Sequence, residues 1–113
     1  MTEIPNALEI SPLELKQKID AGQKPAILDV REPKELEIAK LEGAIHIPFG
    51  ELPIRIRELE PFKDEEVVVI CRSGGRSGRT VEFLRLSGFK KSVNLTGGLL
   101  AWADSVDPNM KKY

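Results

Sequence analysis

The residues best suited to chemistry in this sequence surround its single cysteine. They read Cys71-Arg72-Ser73-Gly74-Gly75-Arg76-Ser77. The apolar run Val67–Ile70 before them is typical of a buried parallel strand, and the residues from Gly78 onward are typical of a helix. A glycine-bearing turn between strand and helix can point successive backbone N–H groups inward, and the helix dipole adds positive potential there. A thiol in such a turn ionises more readily than a free one, and the thiolate is the nucleophilic form.

Three arginines add positive charge around this cysteine, namely Arg72, Arg76 and Arg79. A lone cysteine is commonly a small buried hydrophobic residue, and that alternative stays open at this point. Charge of this density is unusual around an inert core thiol, so the sequence favours a reactive Cys71. The turn would suit a bound anion or a persulfide, whose terminal sulfur is itself anionic.

The spacing within the turn narrows the chemistry. Phosphatases of the Cys-x5-Arg type need an arginine where this chain has Ser77, and here the arginine comes one place earlier, at Arg76. Cys71, Gly74, Arg76 and Ser77 form the pattern Cys-x-x-Gly-x-Arg-Ser. This pattern resembles the active-site loop of the rhodanese family of sulfurtransferases. In that family the shorter loop is associated with sulfur transfer, and the longer one with phosphate or arsenate chemistry.

Three further motifs resemble the same family, in the family's order along the chain. They are Asp29-Val30-Arg31-Glu32, Gly43-Ala44 with Ile47-Pro48, and Gly97-Gly98 followed by Trp102. The resemblance covers nearly the whole chain, from Ser11 to Trp102. It implies the rhodanese fold, an α/β domain with about five mostly parallel strands and helices on both faces. The alternation of strand and helix signals independently favours that architecture.

The elements that must position the cysteine are predicted from local patterns. Strands are expected over 7–10, 26–30, 43–48, 67–70 and 92–95. Helices are expected over 12–21, 33–41, 49–59, 78–86 and after Gly97-Gly98, where Leu99 and Trp102 share one face. Ser11 and Glu14 have the form of a capping box, and Ser77 and Gly88 are placed to cap the helix after the turn. The chain, 1–113, is expected to form one domain, with its core at about 7–103 and a tail over 104–113 that is loose or loosely docked.

Two charged residues at the end of the second strand bear on the loop. Asp29 interrupts an apolar run, and a buried charge needs a partner. Parallel strands place their carboxyl ends on one rim of the sheet, so Arg31 or Arg76 could be that partner. We interpret Asp29 and Arg31 as a structural brace for the loop, and Arg76 either joins the brace, which we favour, or contacts substrate. His46 is the only histidine and could pair with Cys71, but a structural role is favoured.

The resemblance implies sulfane-sulfur transfer by ping-pong chemistry. The thiolate of Cys71 would attack the outer sulfur of a donor such as thiosulfate, and an acceptor such as cyanide, a thiol or a sulfur-carrier protein would then take that sulfur from the persulfide. Arg72 would attract the anionic donor, and loop N–H groups with the hydroxyls of Ser73 and Ser77 would stabilise the anionic sulfur. The implied substrate-binding residues are Arg72, Ser73, Gly74, Gly75, Arg76 and Ser77. No metal and no organic cofactor is implied.

Two other functions stay open. A non-catalytic module could keep the fold and dock a sulfur-carrier or persulfide-donor protein. A phosphatase or arsenate reductase is also conceivable, although the short loop disfavours it. The partners implied are a small sulfur donor, a cysteine desulfurase or a ubiquitin-like sulfur-carrier protein.

Composition limits the classes of partner and compartment. The chain has 113 residues, 41% hydrophobic and 31% charged, with a net charge of −1. This balance provides no field that would attract nucleic acid or an anionic membrane. A single cysteine excludes an internal disulfide and a cysteine-rich metal site, and it suits a reducing compartment. The first residues are acidic and lack the apolar core of a signal peptide, so we expect a cytoplasmic protein.

Overall fold

The computed structural model describes residues 8–113, and within them the chain forms one five-stranded sheet. The strands are β1 (Glu9–Ile10), β2 (Ala26–Asp29), β3 (Ile45–His46), β4 (Val67–Ile70) and β5 (Ser92–Leu95). They lie in the order β1-β5-β4-β2-β3, and each of these pairings runs parallel. This confirms the predicted α/β architecture. The first seven residues, where the sequence places the start of β1 and of the core, lie outside the described part of the chain.

Helices cover both faces of this sheet. They are α1 (Pro12–Asp20), α2 (Pro33–Leu36), α3 (Leu52–Arg55), α4 (Gly75–Leu86) and α5 (Gly98–Ser105), with 3-10 turns at Phe49–Glu51 and Ile56–Phe62. Strand β4 lies at the centre of the sheet, so its side chains enter two separate cores. Val69 and Cys71 pack with Leu84 of α4, whereas Val68 packs on the opposite face with Trp102 of α5. This two-sided burial explains why β4 is an unbroken apolar run.

Capping residues set the ends of two helices as the sequence predicted. At the start of α1, the Ser11 hydroxyl accepts the N–H of Glu14 at 3.1 Å, and the Glu14 carboxylate accepts the N–H of Ser11 at 2.9 Å. These reciprocal bonds form the predicted capping box, with Pro12 as the first helical residue. At the other end of the molecule, Gly88 follows α4 in the left-handed conformation, with φ of 101°.

Two predicted helices are shorter or less regular than the sequence pattern indicated. The helix expected over 33–41 ends at Leu36, and the carbonyl of Ala39 is turned to the guanidinium of Arg31 at 2.8 Å. The helix expected over 49–59 contains only one turn of α-helix, α3, between the two 3-10 turns. Pro61 lies in the second of those turns, and because proline has no N–H it cannot continue an α-helix there.

The helix after the cysteine begins earlier than predicted, and this corrects the expected role of Ser77. Helix α4 starts at Gly75, directly after Gly74, whose φ of 108° only glycine adopts readily. Ser77 therefore lies inside the first turn of α4 and is not its N-cap. Its side chain is fully buried and faces Cys71.

Candidate active site

The thiol of Cys71 lies in a pocket of hydrogen-bond donors at the carboxyl end of β4. Its Sγ accepts the backbone N–H of Gly74 at 3.0 Å and that of Ser77 at 3.4 Å. The Ser77 hydroxyl lies 3.2 Å from the same sulfur. The side chain of Cys71 is only 1% exposed, so solvent competes little for these donors. The turn therefore brings main-chain amides to the sulfur, which is the arrangement that an anionic sulfur requires.

Hydrogen bonding outweighs burial in setting the acidity of this thiol. Burial raises the pKa of Cys71, because an apolar environment disfavours the thiolate. Bonds from the Ser77 hydroxyl and from the backbone N–H groups of Ser77, Gly74 and Ser73 act in the opposite direction, and the pKa lies below its ordinary value. The site therefore favours the nucleophilic form of the sulfur more than its burial alone would allow.

The start of α5 holds the loop from behind. The backbone N–H of Leu99 donates to the carbonyl of Cys71 at 3.0 Å, and that of Leu100 donates to the carbonyl of Arg72 at 3.1 Å. Gly98 makes this approach possible: its φ is 63°, and a Cβ there would lie 2.5 Å from the Arg72 carbonyl oxygen. Because these carbonyls bond outward to α5, the following amides of the loop are left to face the sulfur.

A polar side chain from β5 supports Ser77, and the sequence analysis did not identify it. The Ser77 hydroxyl donates to Oδ1 of Asn94, which is 6% exposed. The Asn94 side-chain NH2 donates in turn to Glu9 at 3.1 Å and to the carbonyl of Gly74 at 3.3 Å. The one signal for this role in the sequence is that Asn94, a polar amide, lies within a strand whose other residues suit full burial.

Arg76 forms an ion pair with Glu35 of α2, and this corrects the prediction that it braces Asp29. Its two terminal nitrogens donate to the two Glu35 oxygens at 2.8 and 2.9 Å. These bonds, opposed by burial and assisted by the backbone of Glu32 and the hydroxyl of Tyr113, lower the pKa of Glu35 to about 2. Arg76 is thus held at the rim of the loop by a residue that the sequence analysis did not single out.

The buried partner of Asp29 is Arg31, one of the two arginines that the sequence offered for this role. The carboxylate of Asp29 accepts from Nε of Arg31 at 3.0 Å and from Nη2 at 2.8 Å, and both side chains are fully buried. The same guanidinium donates to the carbonyls of Glu35 and Ala39. The pair therefore connects the end of β2 to the segment that contains Glu35 and, through Glu35, to Arg76.

Arg72 contacts the last residue of the chain. Its Nε donates to the backbone carbonyl of Tyr113, and its guanidinium lies 5.3 Å from the centre of the tyrosine ring. The Tyr113 hydroxyl donates to Glu35 and accepts from Arg31, each at 2.8 Å. Within the tail expected over 104–113, Tyr113 is therefore docked against the loop, and α5 itself runs to Ser105.

The other singled-out residues lie around this centre. Ser73 and Gly75 are exposed on the loop, and Arg79 is exposed on the second turn of α4. His46 bonds through Nε2 to the carbonyl of Arg31 at 2.6 Å, so it supports the backbone after β2. Trp102 is 6% exposed and packs in the core between the sheet and α1, as the packing role predicted.

Residues 8–113 contain neither a candidate metal site nor a candidate membrane span. Within that range, no three His, Cys, Asp or Glu side chains are grouped so that they could hold a metal ion. None of the helices described there has the length and apolar character needed to cross a membrane.

Comparison with known proteins identifies the family. The family model for the rhodanese-like domain matches residues 11–105. Two similar proteins come from Bacillus subtilis (strain 168). The one named "Putative sulfurtransferase YtwF" is 41% identical, and the match covers 88% of this chain and 94% of that protein. The one named "Putative sulfur carrier protein YrkF" is 39% identical, and the match covers 88% of this chain and 52% of that protein. The crystal structure of a rhodanese-related protein from Thermoplasma volcanium superposes with a TM-score of 0.78 at 35% identity, covering 88% of this chain and 93% of that one. With its sheet, its short cysteine loop and these matches, the chain belongs to the rhodanese-like domain family.

Proposed function

We propose that this protein is a sulfurtransferase that carries sulfane sulfur as a persulfide on Cys71. The observation that carries the proposal is the donor set around Sγ, which combines the N–H groups of Gly74 and Ser77 with the Ser77 hydroxyl. Such a set stabilises a thiolate, and after one further sulfur is added its N–H groups stabilise a persulfide anion. The names of the relatives YtwF and YrkF, a sulfurtransferase and a sulfur carrier, support the same chemistry.

The reaction follows from the charge that the pocket accepts. The Cys71 thiolate attacks the outer sulfur of thiosulfate, the S–S bond of the donor breaks, and its electron pair leaves on sulfite. The product is a persulfide with its negative charge on the outer sulfur. An acceptor nucleophile then bonds to that outer sulfur, and Cys71 leaves as a thiolate with the electron pair of the broken bond. The enzyme alternates between these two forms, which predicts ping-pong kinetics.

The charged residues of the rim divide between two roles. Arg72 is half-buried beside Tyr113 at the mouth of the loop, so it is the candidate to attract an anionic donor such as thiosulfate. Arg76 is committed to Glu35 by two bonds, so we assign it the positioning of the loop. Asp29 and Arg31 support that pair from behind.

The physiological partners follow from the same chemistry. A persulfide on a cysteine desulfurase would present the same sulfane sulfur as thiosulfate, and a ubiquitin-like sulfur-carrier protein would be a suitable acceptor besides cyanide or a thiol. A persulfide needs protection from oxidation, so we propose that the protein works in a reducing compartment such as the cytoplasm.

Intact-protein mass spectrometry after incubation with thiosulfate tests this proposal. We expect the mass to rise by one sulfur atom, with release of sulfite, and we expect cyanide to reverse the increase. Cys71→Ala is the control and should show no increase. An unchanged mass for the native protein would leave the alternative of a non-catalytic docking module, and hydrolysis of an aryl phosphate would instead indicate a phosphatase.

A further inference from the structure

The hydroxyl of Ser77 lies between two buried acceptors. One is Sγ of Cys71 at 3.2 Å, and the other is Oδ1 of Asn94 on β5. The exposed fractions of the three residues are 1% for Cys71, 0% for Ser77 and 6% for Asn94. A hydroxyl carries one hydrogen, so it can donate fully to only one of these acceptors at a time.

The neighbours of Asn94 fix which end of its amide faces Ser77. Its NH2 group donates to the Glu9 carboxylate at 3.1 Å and to the Gly74 carbonyl at 3.3 Å, and both of these groups can only accept. The Thr96 hydroxyl also donates to Glu9, at 2.8 Å. The amide oxygen therefore faces the serine, and Asn94 can only accept the serine hydrogen.

We propose that Asn94 is a positioning residue that competes with Cys71 for the Ser77 hydrogen and thereby disfavours the thiolate. The inference rests on the proposed function, because it concerns the charge states through which the sulfur cycle passes. In the thiol form, Cys71 donates to Ser77 and Ser77 donates to Asn94, so every group is satisfied. In the thiolate form, the serine hydroxyl must turn to Sγ, and the buried amide oxygen loses its donor.

The competition affects the two halves of the cycle in opposite ways. In the persulfide, the charge lies on the outer sulfur, and Sγ is uncharged, so Ser77 can again donate to Asn94. Asn94 thus raises the free energy of the thiolate relative to both the thiol and the persulfide. A thiolate of higher pKa is a better nucleophile and a poorer leaving group. At a pH where Cys71 is fully ionised, Asn94 therefore speeds the loading of sulfur from the donor and slows its release to the acceptor.

The charged groups around this trio stay constant while the thiol titrates. Arg76 of α4 interacts electrostatically with Cys71, Glu35 of α2 pairs with that arginine, and Glu9 of β1 lies behind the Asn94 amide. Guanidinium and carboxylate groups keep their charge in the range where thiols ionise. Movement of the serine hydrogen is therefore the local change that accompanies ionisation of Cys71.

Asn94→Leu tests the proposal by removing the competing acceptor. The replacement leaves no partner stranded, because the Gly74 carbonyl still accepts the N–H of Gly78 at 3.0 Å and Glu9 still accepts from Thr96. We expect the pKa of Cys71, measured by the ultraviolet absorbance of its thiolate, to fall. At a pH below both midpoints, the thiolate fraction should rise by roughly threefold to tenfold. Thr96→Val is the matched control, since it removes a bond to Glu9 without touching Ser77, and its titration should match the native one.

Kinetics separate this role from a merely structural one. At a pH above both midpoints, Asn94→Leu should lower kcat/KM for thiosulfate and raise kcat/KM for cyanide. The expected size is about threefold for each unit by which the pKa falls, from the usual dependence of thiol reactivity on basicity. A substitution that only loosened the site would lower both constants, and that result would overturn the proposal.

A double substitution identifies the serine as the intermediary. In a Ser77→Ala background, Asn94→Leu should leave the pKa of Cys71 unchanged, because there is no hydrogen to compete for. A pKa that rises or stays constant in Asn94→Leu alone, or that falls equally in both backgrounds, would overturn the proposal.

The native protein provides a test that does not depend on the folding of Asn94→Leu. The NMR resonance of the Asn94 side-chain carbonyl should titrate with the midpoint of Cys71 in native protein and stay constant in Ser77→Ala, and a flat native profile would contradict the competition. These titrations need no sulfur donor, so their failure is distinguishable from a failure to form the persulfide.

Discussion

Glu35 is the residue that connects the loop of the cysteine to the rest of its surroundings. Its carboxylate holds both terminal nitrogens of Arg76 and also accepts the hydroxyl of Tyr113. Its hydrogen bonds with Arg76 are the main reason that the pKa of Glu35 lies at about 2. In the folded protein Glu35 is therefore a carboxylate under almost all conditions, and it stabilises the fold as one.

Glu35→Gln should destabilise the protein at neutral pH by about 1 to 2 kcal/mol, a figure that allows for solvent screening because the Arg76 side chain is 32% exposed. The folded pKa is below the unfolded one, so this contribution is fully present above a pH of about 4.5 and is lost as the pH falls toward about 2. The difference between native and variant free energies of unfolding should shrink across that window. Urea denaturation at a series of pH values measures it.

The matched control for this substitution is Glu37→Gln, two residues away and exposed. It should leave the free energy of unfolding nearly unchanged at every pH. A gap between native protein and Glu35→Gln that is constant from neutral to acid pH would show that the carboxylate contributes through packing alone.

Residues adjacent in the chain were predictable from the sequence, and distant partners were not. The relation of Cys71 to Gly74 and Ser77 follows from a turn of fixed length between a strand and a helix. Glu35 is 41 residues from Arg76, and Asn94 is 17 residues from Ser77, so both contacts depend on how separate segments meet. The pattern of a single sequence does not show how two distant segments pack against each other.

At the scale of elements, the loop is fixed between α4 and α5. Helix α4 continues the loop and carries Ser77, while the first amides of α5 bond to the carbonyls of Cys71 and Arg72. Gly98 stands where these two backbones touch. A side chain there would displace one element from the other, because the nearest atoms are backbone atoms.

Gly98→Ala should therefore lower the free energy of unfolding by about 2 kcal/mol or more, since it combines a left-handed φ with a backbone clash. The shift of the loop should also raise the pKa of the Cys71 thiol by weakening its amide bonds. Thermal or urea unfolding and thiolate absorbance measure the two effects. Gly50→Ala is the control, because nothing lies within 4 Å of a Cβ there, and its effect should stay within about 0.5 kcal/mol.

Elements with strong local patterns were predicted well, and those shaped by tertiary contacts were not. The run Val67–Ile70 is buried on both faces, and the predicted bounds of this strand and of β5 are those of the structure. The segment after Pro33 carried helical spacing, but the carbonyl of Ala39 turns to Arg31 instead. The segment around Leu52 has the right periodicity for one helix, but only Leu52–Arg55 is α-helical and 3-10 turns flank it.

At the scale of the molecule, the end of the described chain returns to the cysteine loop. Tyr113 bonds to Arg31 after β2, to Glu35 in α2 and to Arg72 in the loop, so it joins three separate segments. These partners lie between 41 and 82 residues away in the chain. The sequence suggested a loose or loosely docked tail, because proline and lysine residues there gave no sign of such specific distant contacts.

Tyr113→Phe should lower the free energy of unfolding by about 1 kcal/mol, because its hydroxyl bonds to two charged side chains in a half-buried place. Urea denaturation measures the change. Lys112→Ala is the neighbouring control: its pair with Asp104 is exposed, so it should contribute little. Equal effects of the two substitutions would mean that the tyrosine hydroxyl does not tie the segments together.

The hydrogen bonds from α5 to the carbonyls of the loop mean that the sequence motif alone does not determine the geometry of the loop. If residues 71–77 were transplanted between a strand and a helix of another protein, those two carbonyls would have no fixed partner. They could swing inward and oppose a negative sulfur with their own partial charge. A successful graft would have to bring the Gly97-Gly98 helix start with it, so a motif found without that companion is weak grounds for assigning sulfur chemistry.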